Sequence, residues 1–300
     1  MELRVSHKTG LKLYSNLISI DTVYHEELRI KHPADILKNS IEKLEFALNE
    51  FIDGRSRHVL DESKERSIRN YICELDSFYD RLLLVMKALT KPSHEDNKNA
   101  DIWLKENNSE KYTLFKDSVS QTHKMIRDIS NVIKHDAHSV GYLTVTDHEG
   151  KLVDGFYFSN VVGEKELLGP CPRIHEEYRG ASTAISYDFF LRYSLGFVVS
   201  CLYQVNRIFF KGSKPKPMVF QSFIQYVEKH LEVGTHMFPN EYGRAVAYLS
   251  QDKMCVVVKY PYREKKSDDV DRILSVQPFF RFNQRTNSAN DKFPYFQLLS

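Results

Sequence analysis

Cysteine is scarce and scattered. The four, Cys73, Cys171, Cys201 and Cys255, form no CxxC pair, so structural zinc and a disulfide framework both lack their usual footing. Reduced thiols are the simpler reading, and Cys201, set in an apolar stretch, reads as core. Cys171 stands between two prolines with no histidine at a nucleophile spacing. Long hydrophobic runs are missing as well. The most apolar segment, FFLRYSLGFVVSCLYQVNRIFF, is broken by Arg192, Gln204 and Arg207. It falls short of the ~18 uninterrupted residues that span a bilayer. No membrane partner is expected. The opening MELRVSHKTG carries no apolar signal region, so the expected location is cytoplasmic. An excess of one charge is also lacking, because 42 basic residues stand against 40 acidic ones. Nothing global draws the chain to a polyanion. Gly163 and Gly169 flank GEKELLG without the spacing of a phosphate loop, and no cofactor is expected. There is no internal repeat or heptad array.

What the chain does have is length and rings. Its 300 residues suffice for one large domain or two ordinary ones. The 19 Phe and 17 Tyr supply core and interface surface.

The fold reads as mainly α: a helical bundle with a β-hairpin insertion and a small C-terminal α+β region. Residues 1–30, with LRV and LKLYSNLISI, predict short strands and turns. Pro33 opens a helix whose apolar stripe is Ile36, Leu37, Ile41, Leu44, Ala47 and Phe51. A second helix over 63–89 carries Ile68, Tyr71, Ile72, Leu75, Phe78, Tyr79, Leu82 and Met86. A polar connection with one short turn around Trp103 leads to a third helix, Tyr112 to His138. GYLTVTD and KLVDGFYFS then alternate around His148, Glu149 and Gly150 as a hairpin. A fourth helix, Ala181 to Phe210, is apolar on most sides and belongs in the middle of the core. KGSKPKP, residues 211–217, is the clearest linker, and its three lysines read as a solvated connection. Beyond it come a short helix over 220–231 and a hairpin of RAVAYLS and KMCVVVKYP turning at Gln251 and Asp252. LSVQPFFRF and PYFQLL add further strands. The expected domains are 1–210, a helical bundle with a β insertion near 140–165, and 218–300, a small α+β module.

Chemistry concentrates on the helix over 112–138. At ~100° per residue, Phe115, Ile126, Ile129, Val132 and Ile133 share one sector, and Lys116, His123, Arg127, Asn131, Lys134 and His138 lie nearly opposite. His135 falls between the two sets, where packing can fix a ring that water still reaches. Its imidazole can move protons near neutrality. Asn131, four residues earlier, can meet it along the helix, and the fork of Arg127 suits phosphate. His135, Asn131 and Arg127 are therefore the candidate catalytic set for a phosphodiester. Lys134, His138, His123 and Lys116 are the candidate nucleic-acid contacts. The competing reading is structural. Glu74, Asp76 and Asp80 on the neighbouring helix could pair with Arg127 or Lys134 and make this face a helix–helix seam. His135, Asp136 and His138, even with His123 or His175, fall short of a metal ligand set, so no metal is expected.

The stretch SNVIKH, residues 130–135, at the end of a long helix, resembles the late-helix motif of HEPN-type helical proteins. In that family an Arg-Asn pair is followed by three residues and a histidine. Asn131 and His135 match, while Ser130 stands where the arginine would be. Arg127, one turn earlier, is the cation left to take its part, at roughly 60° from that direction. The resemblance implies a helical domain over 35–210 and pairing of two copies across a cleft. It implies either metal-independent RNA cleavage of the toxin or defence type or, as in members without the motif, a binding or scaffold role. Three functions stay open: a nucleotide- or RNA-binding protein without efficient catalysis, a metal-independent ribonuclease, and a structural protein-interaction module. The partners to match are RNA or a nucleotide, a second copy as homodimer, or another protein.

Overall fold

A computed structural model describes residues 3–6, 8–55, 62–93, 99–135, 139–146, 152–162, 167–213, 220–232, 234, 236–250, 255–259 and 293–295. Within these the protein is mainly α, with seven α-helices and small β-sheets.

The chain begins with β1 (Leu3–Ser6) and then a helix, α1 (Thr9–Ser19). The strand expected at LRV is present, while the one expected at LKLYSNLISI is corrected to a helix. The stretch LKLYSNLISI fits both periods, and tertiary packing selects the helical one. Thr9, Gly10, Leu13, Asn16 and Leu17 are buried at three- and four-residue steps. A Cβ at Gly10 would sit 2.7 Å from the Phe223 ring, so glycine permits the close approach. The stripes of α2 (Pro33–Arg55) and α3 (Glu62–Ala88) are buried as their spacing predicts. The two helices pack along one another. Phe51 of α2 lies 5.2 Å, centroid to centroid, from Tyr71 of α3.

The polar connection holds a helix of its own, α4 (Ala100–Asn107). Asn99 caps it by accepting from the Asp101 amide at 3.0 Å. Trp103 is fully buried there, with the Lys87 ammonium 5.0 Å from its ring. The helix α5 (Ser109–His135) follows. It buries Phe115, Val119, Ile126, Ile129 and Val132, the sector that its period marks out.

Next come β2 (Ser139–Thr146), β3 (Leu152–Val162) and β4 (Leu167–Pro170), antiparallel in that order. The expected turn at 148–150 lies outside the described residues. Two-residue strands β5 (Glu177–Tyr178), β6 (Ala181–Ser182) and β7 (Ile185–Ser186) lead into α6 (Tyr187–Phe209). The helix expected from Ala181 therefore starts six residues later. Residues 185–186 pair instead with Phe156 and Gly155 of β3, and the Ser186 hydroxyl caps α6 by accepting from the Phe189 amide at 3.2 Å.

Phe189, Phe190, Leu195, Phe197, Val198, Cys201, Leu202 and Val205 of α6 are all buried, so α6 is the axis of the core. One of its buried charged side chains is matched within that core. Arg192 donates to the carbonyls of Gly234 and Ala247. No described helix is long and apolar enough to cross a membrane. After α6, α7 (Gln221–Leu231) packs on α2 and α6, and β8 (Val246–Leu249) pairs with β9 (Cys255–Lys259). β9 pairs in turn with β1, giving the sheet order β1-β9-β8. Phe223, Val246 and Val256 join the same hydrophobic core as α6. Residues 214–217 of the linker, the turn at 251–252 and the strand expected at LSVQPFFRF lie outside the described residues. Of PYFQLL only Pro294 and Tyr295 are described, as a turn.

Candidate functional site

Four polar residues of α5 face a single carboxylate on α3. Asp76 is fully buried. Its Oδ1 accepts from Arg127 Nε at 2.8 Å and lies 3.3 Å from His123 Nε2. Its Oδ2 accepts from Lys134 Nζ at 3.0 Å and from the Ser130 hydroxyl at 3.1 Å. Residues 123, 127, 130 and 134 step by four, three and four. They form one ridge of an α-helix, and that ridge runs along α3. Asp80, one turn beyond Asp76, accepts from Arg127 Nη2 at 2.8 Å, so the guanidinium bridges both carboxylates. The His123 ring stacks on Tyr79 with centroids 3.7 Å apart.

The electrostatics follow from this geometry. Burial pushes the Asp76 carboxyl up, but the hydrogen bonds from His123 and Lys134 and the charge of Arg127 outweigh it. The group lies below the usual carboxylate range. Cys73, one turn before Asp76, is half-buried, and burial pushes its thiol up against the pull of Ser130 and Lys134.

The sequence candidates thus separate into groups. Arg127, Lys134 and His123 are together at Asp76, joined by Ser130, the residue at the place of the family arginine. Lys116 is elsewhere, donating to the Tyr112 hydroxyl at 2.7 Å while Tyr112 donates to Asp101 at 2.7 Å. Asn131 is half-buried. His135 is exposed in the last turn of α5 instead of held at the edge of the core. The helix ends at that residue. From Arg127 to His135 is about 12 Å along the helix axis, with a turn of roughly 80° about it. One phosphate cannot lie against both backbones. His138 lies outside the described residues, as do Asp136 and Ala137. His175 is buried and accepts from the Phe158 amide at 2.9 Å, which accounts for one ring nitrogen. Among the described residues, no group of three or more His, Cys, Asp or Glu side chains is placed to hold a metal ion.

Two concavities flank this region. A cleft of about 420 Å³ lies on another side of α5, lined in part by Lys124, Asp128, Arg173, Glu176 and Arg244. Arg244 crosses to Glu176 at 2.7 Å. A larger groove of about 960 Å³ lies between α2, α3 and the segment that precedes α2, with Phe46 on its wall. Sequence reasoning missed this groove. One signal was available: Phe46 stands off the apolar stripe of α2, so a helix that buries its stripe must leave that ring outside. No protein-family model, curated protein or solved structure matches the chain.

Proposed function

We propose that this protein binds a nucleotide or RNA without efficient catalysis, on a helical bundle of HEPN-like type in which β2 and β3 form an inserted hairpin. The capture of Arg127 by Asp76 and Asp80 carries the non-catalytic part of this reading. A ribonuclease of the implied type needs a free cation beside the scissile phosphate and a histidine within reach of the same phosphate. Ser130 supplies no cation, and Arg127 is committed to two carboxylates. Freeing Arg127 and Lys134 together would leave the Asp76 charge buried and largely uncompensated. That costs about 3–5 kcal/mol where a buried pair is broken, so an incoming phosphate must first overcome that penalty.

The test combines RNA cleavage with chelator present, and RNA and ATP binding, for the wild-type protein and His135→Ala. The expected result is binding with no cleavage by either form. Metal-independent cleavage that falls ~100-fold in the variant would replace this reading with the ribonuclease one, since acid–base catalysis contributes 10²–10⁴-fold. Absence of both cleavage and binding would leave the protein-interaction module.

A further inference from the structure

We infer that the groove between α2 and α3 is a binding site for a nucleobase with its phosphate, as a free nucleotide or as a unit of single-stranded RNA. The inference rests on the nucleotide- or RNA-binding reading and gives it a location away from Asp76.

The groove is built by a pinned segment. The amide of Tyr24 donates to the Ala88 carbonyl at 2.9 Å, fastening residues 20–32 to the end of α3. Within the segment the amides of Arg29 and Ile30 donate back to Glu26 and His25 at 3.0 and 2.9 Å. Arg29 is held in the left-handed region at φ 51°, a conformation that a non-glycine residue adopts only where its surroundings impose it. This turn sets Arg29 and Lys31 on one wall of the groove, while Lys43 and Phe46 come from α2 and Arg81 from α3.

The charges on these walls differ from those at Asp76. Arg81 is paired with Glu74 at 2.8 Å. Among the described residues, Arg29, Lys31 and Lys43 have no carboxylate partner. The walls carry four cations, Arg29, Lys31, Lys43 and Arg81, against two carboxylates, Glu42 and Glu74. That leaves a local surplus of two positive charges, as large as the formal net charge of +2 for the whole chain. Beside them Phe46 is 65 % exposed, the most exposed of the large hydrophobic side chains among the described residues. An aromatic face open to water next to unpaired cations matches the two parts of a nucleotide. The base stacks on the ring, and the phosphate meets lysine and arginine donors. A volume of about 960 Å³ accommodates a nucleotide-sized ligand. A base-paired duplex has no free base face to offer, so single strands are selected.

The experiment uses the full chain, a fluorescein-labelled ten-nucleotide oligoadenylate by anisotropy, and ATP and inorganic tripolyphosphate by calorimetry. Lys31→Glu/Lys43→Glu and Phe46→Ala are compared with Lys124→Glu, which makes the same kind of charge change in the other cleft. All four positions are exposed, and melting temperatures check folding. The expected result is a loss of about tenfold or more in oligoadenylate affinity for both groove variants, within the range of one lost stacking or phosphate contact. Lys124→Glu should bind as wild type. Binding of ATP as well as the oligomer assigns the mononucleotide as sufficient, and tighter oligomer binding assigns RNA. Either supports the site. Oligoadenylate binding that ignores the groove variants overturns the groove while leaving the protein an RNA binder. Tripolyphosphate binding as tight as ATP and indifferent to Phe46→Ala overturns the base-stacking site in favour of a simple anion patch. Poly-glutamate that competes as well as the oligomer overturns it in favour of an acidic protein partner. No binding of ATP or oligomer by wild type removes the binding reading and the groove together.

Discussion

The seam between α3 and α5 and the groove between α2 and α3 use the same kinds of side chain to opposite ends. At the seam, Arg127, Lys134 and His123 converge on a buried carboxylate and are satisfied by the fold itself. At the groove, Arg29, Lys31 and Lys43 line an open wall beside an exposed ring. A cation that holds a helix in place is a poor ligand for a passing phosphate, because leaving its partner uncovers a buried charge. A cation held on a pinned loop without a carboxylate has no such cost. In the sequence both sets look alike, as basic residues on or beside amphipathic helices, and only the position of Asp76 divides them.

Breaking the seam should have a large effect. Asp76→Ala should lower the unfolding free energy by about 3 kcal/mol, the lower edge of the range for a broken buried ion pair, because the partly exposed Arg127 and Lys134 can rehydrate. Urea unfolding measures it. A loss below 0.5 kcal/mol, the scale of an ordinary surface substitution, would mean that the seam is not structural and would return Arg127 to the list of free cations.

Restoring the family arginine gives the next effect. Ser130 is fully buried against Asp76, so Ser130→Arg must force a long side chain into a packed place. The expected cost is about 2 kcal/mol from overpacking, with no gain of RNA cleavage. Cleavage appearing in this variant would show that Ser130 alone withholds the activity, and that the seam yields to substrate.

A smaller effect concerns pH. Asp76 has its folded pKa depressed below its ordinary value of 3.8, against the push of burial. Its contribution from ionisation is therefore fully present above the unfolded value. It is lost as pH falls below that value and through the folded pKa. The stability gap between wild type and Asp76→Ala should be constant from pH 7 to about 5 and narrow as the pH drops toward 2. A gap that widened on acidification would reverse the sign and refute the ion-pair account.

The seam was half legible in the sequence. The helical period placed Arg127 and Lys134 opposite the apolar sector, and Glu74, Asp76 and Asp80 were visible as partners on the next helix. Sequence could not say which acid would be buried, because that depends on how α3 and α5 are rotated about each other. The stripes of α2, α3 and α5 were readable because long amphipathic helices must bury them. α1 was not, since its few apolar residues fit alternation as well as a helix until Phe223 and Asn206 are brought against it. The start of α6 was misplaced for a related reason. Ser186 reads as an ordinary helical residue until Gly155 of β3 pairs with it. His135 was expected at the edge of the core and is exposed, because the angular argument ignores where the helix stops. The groove depends on residues 20–32 returning to the end of α3, a contact between distant parts of the chain with no periodic signature.

The smallest expected effect sharpens the comparison within one helix. Phe46 and Phe51 lie five residues apart on α2, yet Phe51 is 0 % exposed and Phe46 is 65 % exposed. Phe51→Ala removes a ring packed against Tyr71, Tyr187 and Phe190, and should cost about 3–5 kcal/mol. Phe46→Ala removes little buried surface and puts alanine, the best helix former, in an exposed helical position. Its stability should change by less than about 0.5 kcal/mol in either direction, while oligoadenylate affinity falls. A residue whose loss costs binding but not folding is present for its ligand. If Phe46→Ala instead destabilised the fold as Phe51→Ala does, the ring would belong to the core in solution, the groove would be closed, and its cations would have no stacked base beside them.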